Sequence, residues 1–180
     1  MTAAWQLPTR LETALLIAAL SRLGVTQVPI LPLYREREVG FLLRATRPSV
    51  VFTPGTWRGH DYPRMIAPLA AALAPPPELI EAYAALPEAA SGALPPAPRE
   101  PDAVRWIFAT SGTTAEPKGV CHSDATLMAA ARGMGVALAV RPDDICSVNF
   151  PMAHAGGPTA LMGHLAAGVT AVLVEVFDPV

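Results

Sequence analysis

The hydrophobic and polar positions of the chain follow two alternating periods. Short apolar runs typical of buried strands predict strands at residues 25–30, 49–53, 104–109, 120–122, 145–150 and 170–176. Longer segments with apolar residues at helical spacing predict helices at residues 10–23, 35–46, 64–73, 78–86, 124–138 and 156–166. This alternation predicts an α/β fold, mainly a parallel sheet with flanking helices. No element is predicted before residue 10.

Local boundary signals support several of these elements. Thr9 and Glu12 have the spacing of a capping box, which makes Thr9 the predicted N-cap of the first helix. Ser123 is the predicted N-cap of the helix that follows it. Residues 75–101 contain eight prolines mixed with alanine. That composition predicts an extended surface connection within one domain, with a domain boundary or a proline-rich ligand segment as the alternatives.

Composition and charge narrow the function classes. The 180 residues are 52% hydrophobic and carry a net charge of −2, so no basic footprint for nucleic acid or an anionic membrane is present. Cys121 and Cys146 are too far apart in sequence for a C-x-x-C motif and predict a reducing compartment, with each thiol buried as a small apolar group.

The segment at residues 145–174 contains no Asp, Glu, Lys or Arg, but it does not resemble a membrane span. Glycines, prolines and two histidines interrupt it, and such residues favour a buried strand–helix–strand unit over one spanning helix. The start of the chain has neither a basic region nor a long apolar core. These features predict a cytoplasmic protein without a membrane span.

The stretch at residues 110–119, Thr-Ser-Gly-Thr-Thr-Ala-Glu-Pro-Lys-Gly, follows the predicted strand 104–109. Hydroxyl groups, free main-chain N–H groups and one lysine together suit a polyphosphate. Lys118 precedes a glycine rather than a hydroxyl residue, so a Walker A loop is excluded, and Gly112 lacks the partner glycines of a dinucleotide loop. A plain serine/threonine turn with an exposed lysine is the structural alternative.

The order of residues 110–119 resembles the phosphate loop of the adenylate-forming acyl-CoA synthetases, a superfamily that includes luciferases and nonribosomal peptide adenylation domains. Ala115 departs from the glycine that most members carry. Residues 151–157, Pro-Met-Ala-His-Ala-Gly-Gly, are similar to the family's Pro-Met-x-His-x-x-Gly segment. Residues 34–38 and the apolar helix after them resemble the fatty-acyl and alicyclic-acid branch.

The resemblance implies a two-step reaction in which ATP activates a carboxylic acid as an acyl adenylate, and a thiol, usually coenzyme A, then displaces AMP. Lys118 would neutralise the departing pyrophosphate, and His154, Gly156 and Gly157 would border the pocket of the acid. Mg²⁺ would be held mainly through the ATP phosphates, with no metal ligands predicted in this chain. The residues implied to bind the ATP phosphates are Thr110, Ser111, Gly112, Thr113, Thr114, Lys118 and Gly119.

The resemblance covers part of the family's large N-terminal domain. Residues 1–180 are therefore expected to form an incomplete AMP-binding domain, with the family's magnesium acid, ribose aspartate and C-terminal catalytic-lysine domain absent from this sequence. An apolar acid is the expected substrate, and a complementing C-terminal chain or self-association would supply a partner. The alternative is a noncatalytic remnant or split subunit that binds nucleotide weakly. A phosphotransferase is disfavoured because no general base accompanies the loop.

Overall fold

A computed structural model describes residues 1–88, 92, 94–110 and 118–176. Its helices are Leu11–Arg22 (α1), Glu36–Thr46 (α2), Tyr62–Ala71 (α3), Asp124–Ala137 (α4) and Gly156–Ala167 (α5). Its strands are Thr2–Trp5 (β1), Thr26–Pro29 (β2), Val50–Thr53 (β3), Thr56–Trp57 (β4), His60–Asp61 (β5), Glu78–Glu81 (β6), Val104–Thr110 (β7), Lys118–Ser123 (β8), Ile145–Val148 (β9) and Thr170–Leu173 (β10).

The strands form one large sheet and two small ones within the described residues. The large sheet has the order β6-β3-β1-β2-β7-β8 and is parallel except for the antiparallel pair β7 and β8. Strands β9 and β10 pair in parallel as a second sheet, and β4 and β5 form a short hairpin. The predicted α/β fold with a mainly parallel sheet is confirmed.

Helices cover both faces of the large sheet. On one face, Ile17 of α1, Leu127 of α4 and Leu161 of α5 pack in a core that contains Trp5 and Trp106. On the other face, α2 and α3 pack against a second core formed by Val28, Val39, Leu42, Leu43, Val51 and Ile66 among others. A parallel sheet buries both faces in this way because its crossover helices lie on either side.

Strand β1 occupies a central place in the large sheet, although the sequence pattern assigned no element to it. Ala3, Ala4 and Trp5 are 0% exposed, and β1 pairs with both β2 and β3. The indole N–H of Trp5 donates to Gln27 Oε1 over 3.2 Å. Two adjacent alanines have low strand propensity, so the strand owes its conformation to its neighbours on either side.

Two predictions about local structure are wrong. Helix α1 has Arg10 rather than Thr9 at its N-cap, without a side-chain capping bond. Thr9 Oγ1 instead accepts a hydrogen bond from the main-chain N–H of Met152 over 3.1 Å, and Glu12 pairs with Arg10. Residues 78–86 do not form a helix, because Glu78–Glu81 pairs with β3 as strand β6.

Two further observations concern single side chains. Ser123 is the N-cap of α4 as predicted, since its hydroxyl accepts a hydrogen bond from the N–H of Thr126 over 3.1 Å. Cys121, predicted to be buried, is exposed because β8 lies at the edge of the sheet, and Cys146 is half-buried.

Among the helices that the structure describes, none has the length and hydropathy needed to cross a membrane.

Candidate active site

The predicted phosphate loop joins two paired strands. Strands β7 and β8 are antiparallel, and their last paired residues are Thr110 and Lys118. Thr110 Oγ1 donates to the carbonyl oxygen of Lys118 over 3.3 Å, and both residues are exposed. We call this pair of strands the phosphate hairpin. The predicted residues Ser111, Gly112, Thr113 and Thr114 lie outside the described residues.

Gly119 lies on β8, next to Lys118, at a point of close packing. A Cβ atom at this position would meet Ile107 Cγ2 at 3.0 Å, which is closer than side chains normally approach. Ile107 belongs to β7 and packs against the second core. Glycine therefore allows β8 to lie close against β7 beside the lysine.

Packed aromatic side chains support strand β7 of the phosphate hairpin. The Trp106 and Phe108 rings stack with centroids 5.6 Å apart, and the His122 ring contacts Phe108 edge-on at 5.9 Å. The buried Trp106 indole N–H donates to Asp124 Oδ1 over 2.7 Å, which ties β7 to the first residue of α4. The sequence pattern did not identify this bond, since Asp124 is distant from Trp106 in the chain.

A cavity of about 150 Å³ lies between the phosphate hairpin and the segment that follows β9. Thr110 lines it on one side and His154 on the other, so two residues predicted from separate motifs meet at one cavity. Most of the wall is apolar. The remaining lining residues are Pro29, Leu31, Tyr34, Phe108, Ala109, Val120, His122, Ala153 and Ala155.

His154 is exposed at the edge of this cavity in a tightly folded segment. Its ring lies nearly parallel to Phe150, with centroids 6.1 Å apart, and its Nδ1 accepts a hydrogen bond from the Gly156 N–H over 3.1 Å. That bond leaves Nε2 as the ring nitrogen available to a ligand. The Gly156 N–H thereby fixes the orientation of the imidazole at the cavity wall.

Gly157 lies in the first turn of α5 and is buried against the main chain. A Cβ atom there would overlap the Pro151 carbonyl group and lie 2.7 Å from Met152 Cα. The main-chain N–H of Gly157 donates to the His154 carbonyl oxygen over 2.8 Å. Neither Gly156 nor Gly157 lines the cavity, so their contribution to it is to shape the turn that carries His154.

A second cavity, of about 390 Å³, opens at the carboxyl ends of strands from both sheets. Open α/β sheets commonly bind ligands at this edge. Residues that follow β1, β2, β3, β9 and β10 line it, and Leu31 lines both cavities. The lining residues are Leu7, Pro8, Thr9, Leu31, Pro32, Leu33, Arg35, Trp57, Arg58, His60, Tyr62, Asn149, Pro151, Val174 and Glu175.

The turn between β2 and α2 separates the two cavities and is held by several side chains. The buried Gln6 amide donates to the carbonyl oxygens of Leu31 and Tyr34 over 2.9 and 3.0 Å. The Tyr62 hydroxyl and the Arg35 guanidinium both donate to the Pro32 carbonyl oxygen. The three bonds from Gln6 and Tyr62 come from outside the turn and restrict its movement relative to the sheet.

A carboxylate at the edge of the larger cavity gathers donors from distant segments. Glu175, just after β10, accepts hydrogen bonds from Trp57 Nε1 (2.8 Å), the Tyr83 hydroxyl (2.8 Å) and Arg10 Nη1 (3.1 Å). Burial on its own would raise the pKa of Glu175, but these three donors outweigh it and the pKa lies below its ordinary value. The hydrogen bond to Glu175 raises the pKa of Tyr83. We call these four residues the Glu175 cluster.

Comparison with known proteins decides the family. The family model described as AMP-binding enzyme matches residues 2–180. The chain belongs to the AMP-binding enzyme family. This confirms the resemblance inferred from residues 110–119 and 151–157.

Curated relatives of this AMP-binding chain are acyl-CoA ligases. It is 40% identical over 73 residues to the 2-succinylbenzoate–CoA ligase of Bacillus cytotoxicus, covering 41% of this chain and 15% of that protein. It is 24% identical over 188 residues to the medium-chain fatty-acid–CoA ligase of Escherichia coli, covering 98% of this chain and 33% of that protein. The chain therefore spans at most a third of the length of these relatives.

Two solved structures illustrate the similarity of fold. The o-succinylbenzoate CoA synthetase MenE of Bacillus subtilis, in complex with its acyl-adenylate intermediate, has a TM-score of 0.80 and 25% identity, and the match covers 98% of this chain and 44% of that one. Apo MatB of Rhodopseudomonas palustris has a TM-score of 0.80 and 23% identity, covering 98% and 35%. The latter likeness concerns the fold alone.

Metal-binding side chains are sparse in the described part of this AMP-binding chain. No group of three or more His, Cys, Asp and Glu residues converges there, and the described lining of the smaller cavity includes no carboxylate.

His164 lies in α5, and burial lowers its pKa. Its Nδ1 is buried without a hydrogen-bond partner among the described residues.

Proposed function

We propose that the chain contributes the phosphate hairpin and one wall of the acid site to an enzyme that activates a carboxylic acid with ATP. The observation that carries the proposal is the single cavity on which Thr110 of the phosphate hairpin and His154 of the segment after β9 both lie. Residues 1–180 then form part of an AMP-binding domain, and the part of residues 75–101 that follows β6 is a connection within it.

In this reaction a carboxylate oxygen of the acid attacks the α-phosphorus of ATP, and the bond to the bridging oxygen of pyrophosphate breaks. Positioning and charge stabilisation provide most of the catalysis in such transfers. The Lys118 ammonium group, at the loop end of the phosphate hairpin, stabilises the charge that develops on pyrophosphate. The hydroxyl groups and N–H groups of residues 110–114, with Gly119, hold the β- and γ-phosphates. His154 borders the acid, on the turn shaped by Gly156 and Gly157.

The acid itself is proposed to be apolar. Phe108, Val120, Ala153 and Ala155 line the smaller cavity, and such a wall favours a hydrocarbon or aromatic group over a second charge. The E. coli relative is named for medium-chain fatty acids, whose single carboxylate fits such a wall, whereas the 2-succinylbenzoate of the Bacillus relatives carries a second carboxylate.

We propose that the larger cavity admits the thiol co-substrate, coenzyme A. Arg35 and Arg58 supply guanidinium groups that pair with phosphates, and Trp57 supplies a ring face on which a base can stack. Leu31 borders both cavities. The thiol-bearing arm of coenzyme A would therefore extend from the larger cavity past Leu31 to the acyl carbonyl in the smaller one. A MenE structure bound to a CoA product analogue matches this chain with a TM-score of 0.81 and 25% identity.

Magnesium is proposed to enter with the nucleotide. ATP phosphates provide oxygen ligands of the kind that Mg²⁺ prefers, and the described wall of the smaller cavity has no carboxylate to replace them. The metal would then supply charge neutralisation at the phosphates. The residues of this chain bind the phosphates and orient them.

Selective labelling of Lys118 tests nucleotide binding directly. Lys118 is the sole lysine of the sequence, so an amine-reactive acetylating reagent modifies it and the N-terminal amine alone. We expect MgATP to protect Lys118, AMP to protect it less because AMP lacks the β- and γ-phosphates, and the N-terminal amine to be unaffected. Equal Lys118 modification with and without MgATP, measured by peptide mass spectrometry, would contradict the proposal.

The chemical step has its own test. Pyrophosphate exchange into ATP, or acyl-hydroxamate formation with a panel of apolar acids, would be measured for the wild type, for Lys118→Ala and for Arg132→Ala as a matched loss of positive charge on α4. We expect any activity to be lost with Lys118→Ala and retained with Arg132→Ala. Protection of Lys118 without exchange would support the alternative of a noncatalytic nucleotide-binding subunit.

A further inference from the structure

The Glu175 cluster joins parts of the molecule that are separated in sequence and in the two sheets. Arg10 precedes α1, Trp57 lies in β4, and Tyr83 follows β6, so these three belong to segments around the large sheet. Glu175 follows β10 of the second sheet. Arg10 Nη1 also donates to the Tyr83 hydroxyl over 3.1 Å, and its guanidinium lies 4.2 Å from the centroid of the Tyr83 ring. The cluster is therefore a closed network rather than one isolated ion pair.

The β4–β5 hairpin depends on contacts from outside. Each of its strands has two residues, and a hairpin of this length is not stable by itself. Its turn contains Arg58 and Gly59, both with positive φ, at 48° and 76°. The bond from Trp57 Nε1 to Glu175 Oε1 ties the hairpin to the second sheet.

Trp57 in turn supports Arg58. The Arg58 guanidinium carbon lies 5.9 Å from the centroid of the Trp57 ring, a distance at which a cation and a ring attract each other. Trp57, Arg58 and Glu175 all line the larger cavity. A change in the position of Trp57 therefore moves both the ring and the charge on the cavity wall.

We propose that Glu175 is a positioning residue that holds the β4–β5 hairpin, and with it Trp57 and Arg58, at the wall of the larger cavity. The carboxylate places the indole ring by accepting its N–H, while the bonds from Tyr83 and Arg10 fix the carboxylate. The consequence for ligand affinity rests on the function proposed above for the larger cavity. The role of Glu175 in holding the β4–β5 hairpin does not depend on that proposed function.

Acrylamide quenching of tryptophan fluorescence tests the holding of the hairpin. Trp5 and Trp106 are 0% exposed, whereas Trp57 is half-buried, so quenching reports chiefly on Trp57. We expect Glu175→Ala to raise the quenching constant toward that of an exposed indole, and the matched control Glu88→Ala, at an exposed acidic position outside the cluster, to leave it unchanged. In a Trp57→Phe background, adding Glu175→Ala should no longer alter the quenching constant.

A graded series of variants distinguishes the effect of the hydrogen-bond acceptor at position 175 from the effect of its negative charge. Glu175→Gln keeps an oxygen for Trp57 and Tyr83 but places an NH₂ group beside Arg10, so its quenching constant should fall between those of the wild type and Glu175→Ala. Tyr83→Phe removes one donor without removing the ring and should also raise quenching. If Glu175→Ala fails to fold, these two variants decide the matter, and wild-type quenching in both would overturn the proposal.

Ligand binding tests the consequence for the cavity. The probe is adenosine 3′,5′-bisphosphate, an anionic nucleotide without a thiol, measured by titration calorimetry. We expect Glu175→Ala to weaken its binding by about tenfold, which corresponds to one hydrogen bond to a charged group, while MgATP protection of Lys118 is unchanged. Altered quenching without any binding of the probe to the wild type would refute the function proposed for the larger cavity and leave the positioning role standing. Unaltered quenching would refute the positioning role.

Discussion

Replacing Gly157 with alanine tests how tightly the turn that carries His154 is packed. The added Cβ atom would overlap the Pro151 carbonyl group and lie 2.7 Å from Met152 Cα. Both neighbours are main-chain atoms, which cannot rotate out of the way as a side chain can. The start of α5 must therefore move relative to the segment that follows β9.

The magnitude follows from two opposing effects. Forcing a methyl group into a close-packed site typically costs about 1–3 kcal/mol, and alanine is favoured over glycine within a helix by up to about 1 kcal/mol. The net expectation is a free energy of unfolding lowered by about 1–2 kcal/mol. For a chain of this size that corresponds to a Tm lowered by roughly 2–8 °C.

Gly133→Ala provides the matched control. Gly133 lies within α4, and a Cβ atom there would meet nothing within 4 Å, so the helix-propensity gain is unopposed and the free energy of unfolding should rise by up to about 1 kcal/mol. Urea unfolding followed by circular dichroism measures both variants. A Gly157→Ala chain as stable as the Gly133→Ala chain would refute the packing argument.

Three further predictions concern buried polar groups. Thr9→Val should lower the free energy of unfolding by about 1–3 kcal/mol, because it leaves a buried main-chain N–H without an acceptor; urea unfolding should show a smaller loss for Thr46→Val, whose hydroxyl bonds within α2. Trp106→Phe should cost at least as much as Thr9→Val in the same assay, since it leaves Asp124 without its indole donor and opens a small void. Because burial lowers the pKa of His164 from its ordinary 6.5, the unfolded chain binds the proton more readily, so stability should fall as the pH drops below about 6.5. His164→Gln should remove that part of the pH dependence in thermal unfolding measured between pH 5 and 8, and an unchanged profile would contradict it.

Much of the fold could be predicted because its signals are local. The helical spacing of Val39, Leu42 and Leu43 identifies α2, and all three are buried as the pattern requires. The N-cap of α4 depends on one hydroxyl and the next turn of main chain, so Ser123 was identified from its position alone. The stretch at residues 110–119 was identified by its order of residues and by the apolar strand that leads into it, and its phosphate role stays a prediction.

Two strands, β1 and β6, could not be predicted in the same way. Strand β1 has only four residues, Thr2–Trp5, and its alanines carry no alternating pattern, yet it lies at the centre of the sheet. Glu78–Glu81 has a sequence compatible with a helix, and its pairing with β3 decides otherwise. Strand pairing joins residues far apart in the chain, and no local pattern specifies it.

The candidate site likewise combines features that depend on neighbouring residues with features that depend on tertiary contacts. The sequence by itself determined the family and located the stretch at residues 110–119 and the segment that carries His154, because each depends on a run of neighbouring residues. Only the tertiary structure brought Thr110 and His154 to one cavity, gave Thr9 a partner beyond its own helix and gathered three donors around Glu175. Hydrogen bonds between distant segments depend on how the two sheets pack together, and that packing is a property of the whole fold.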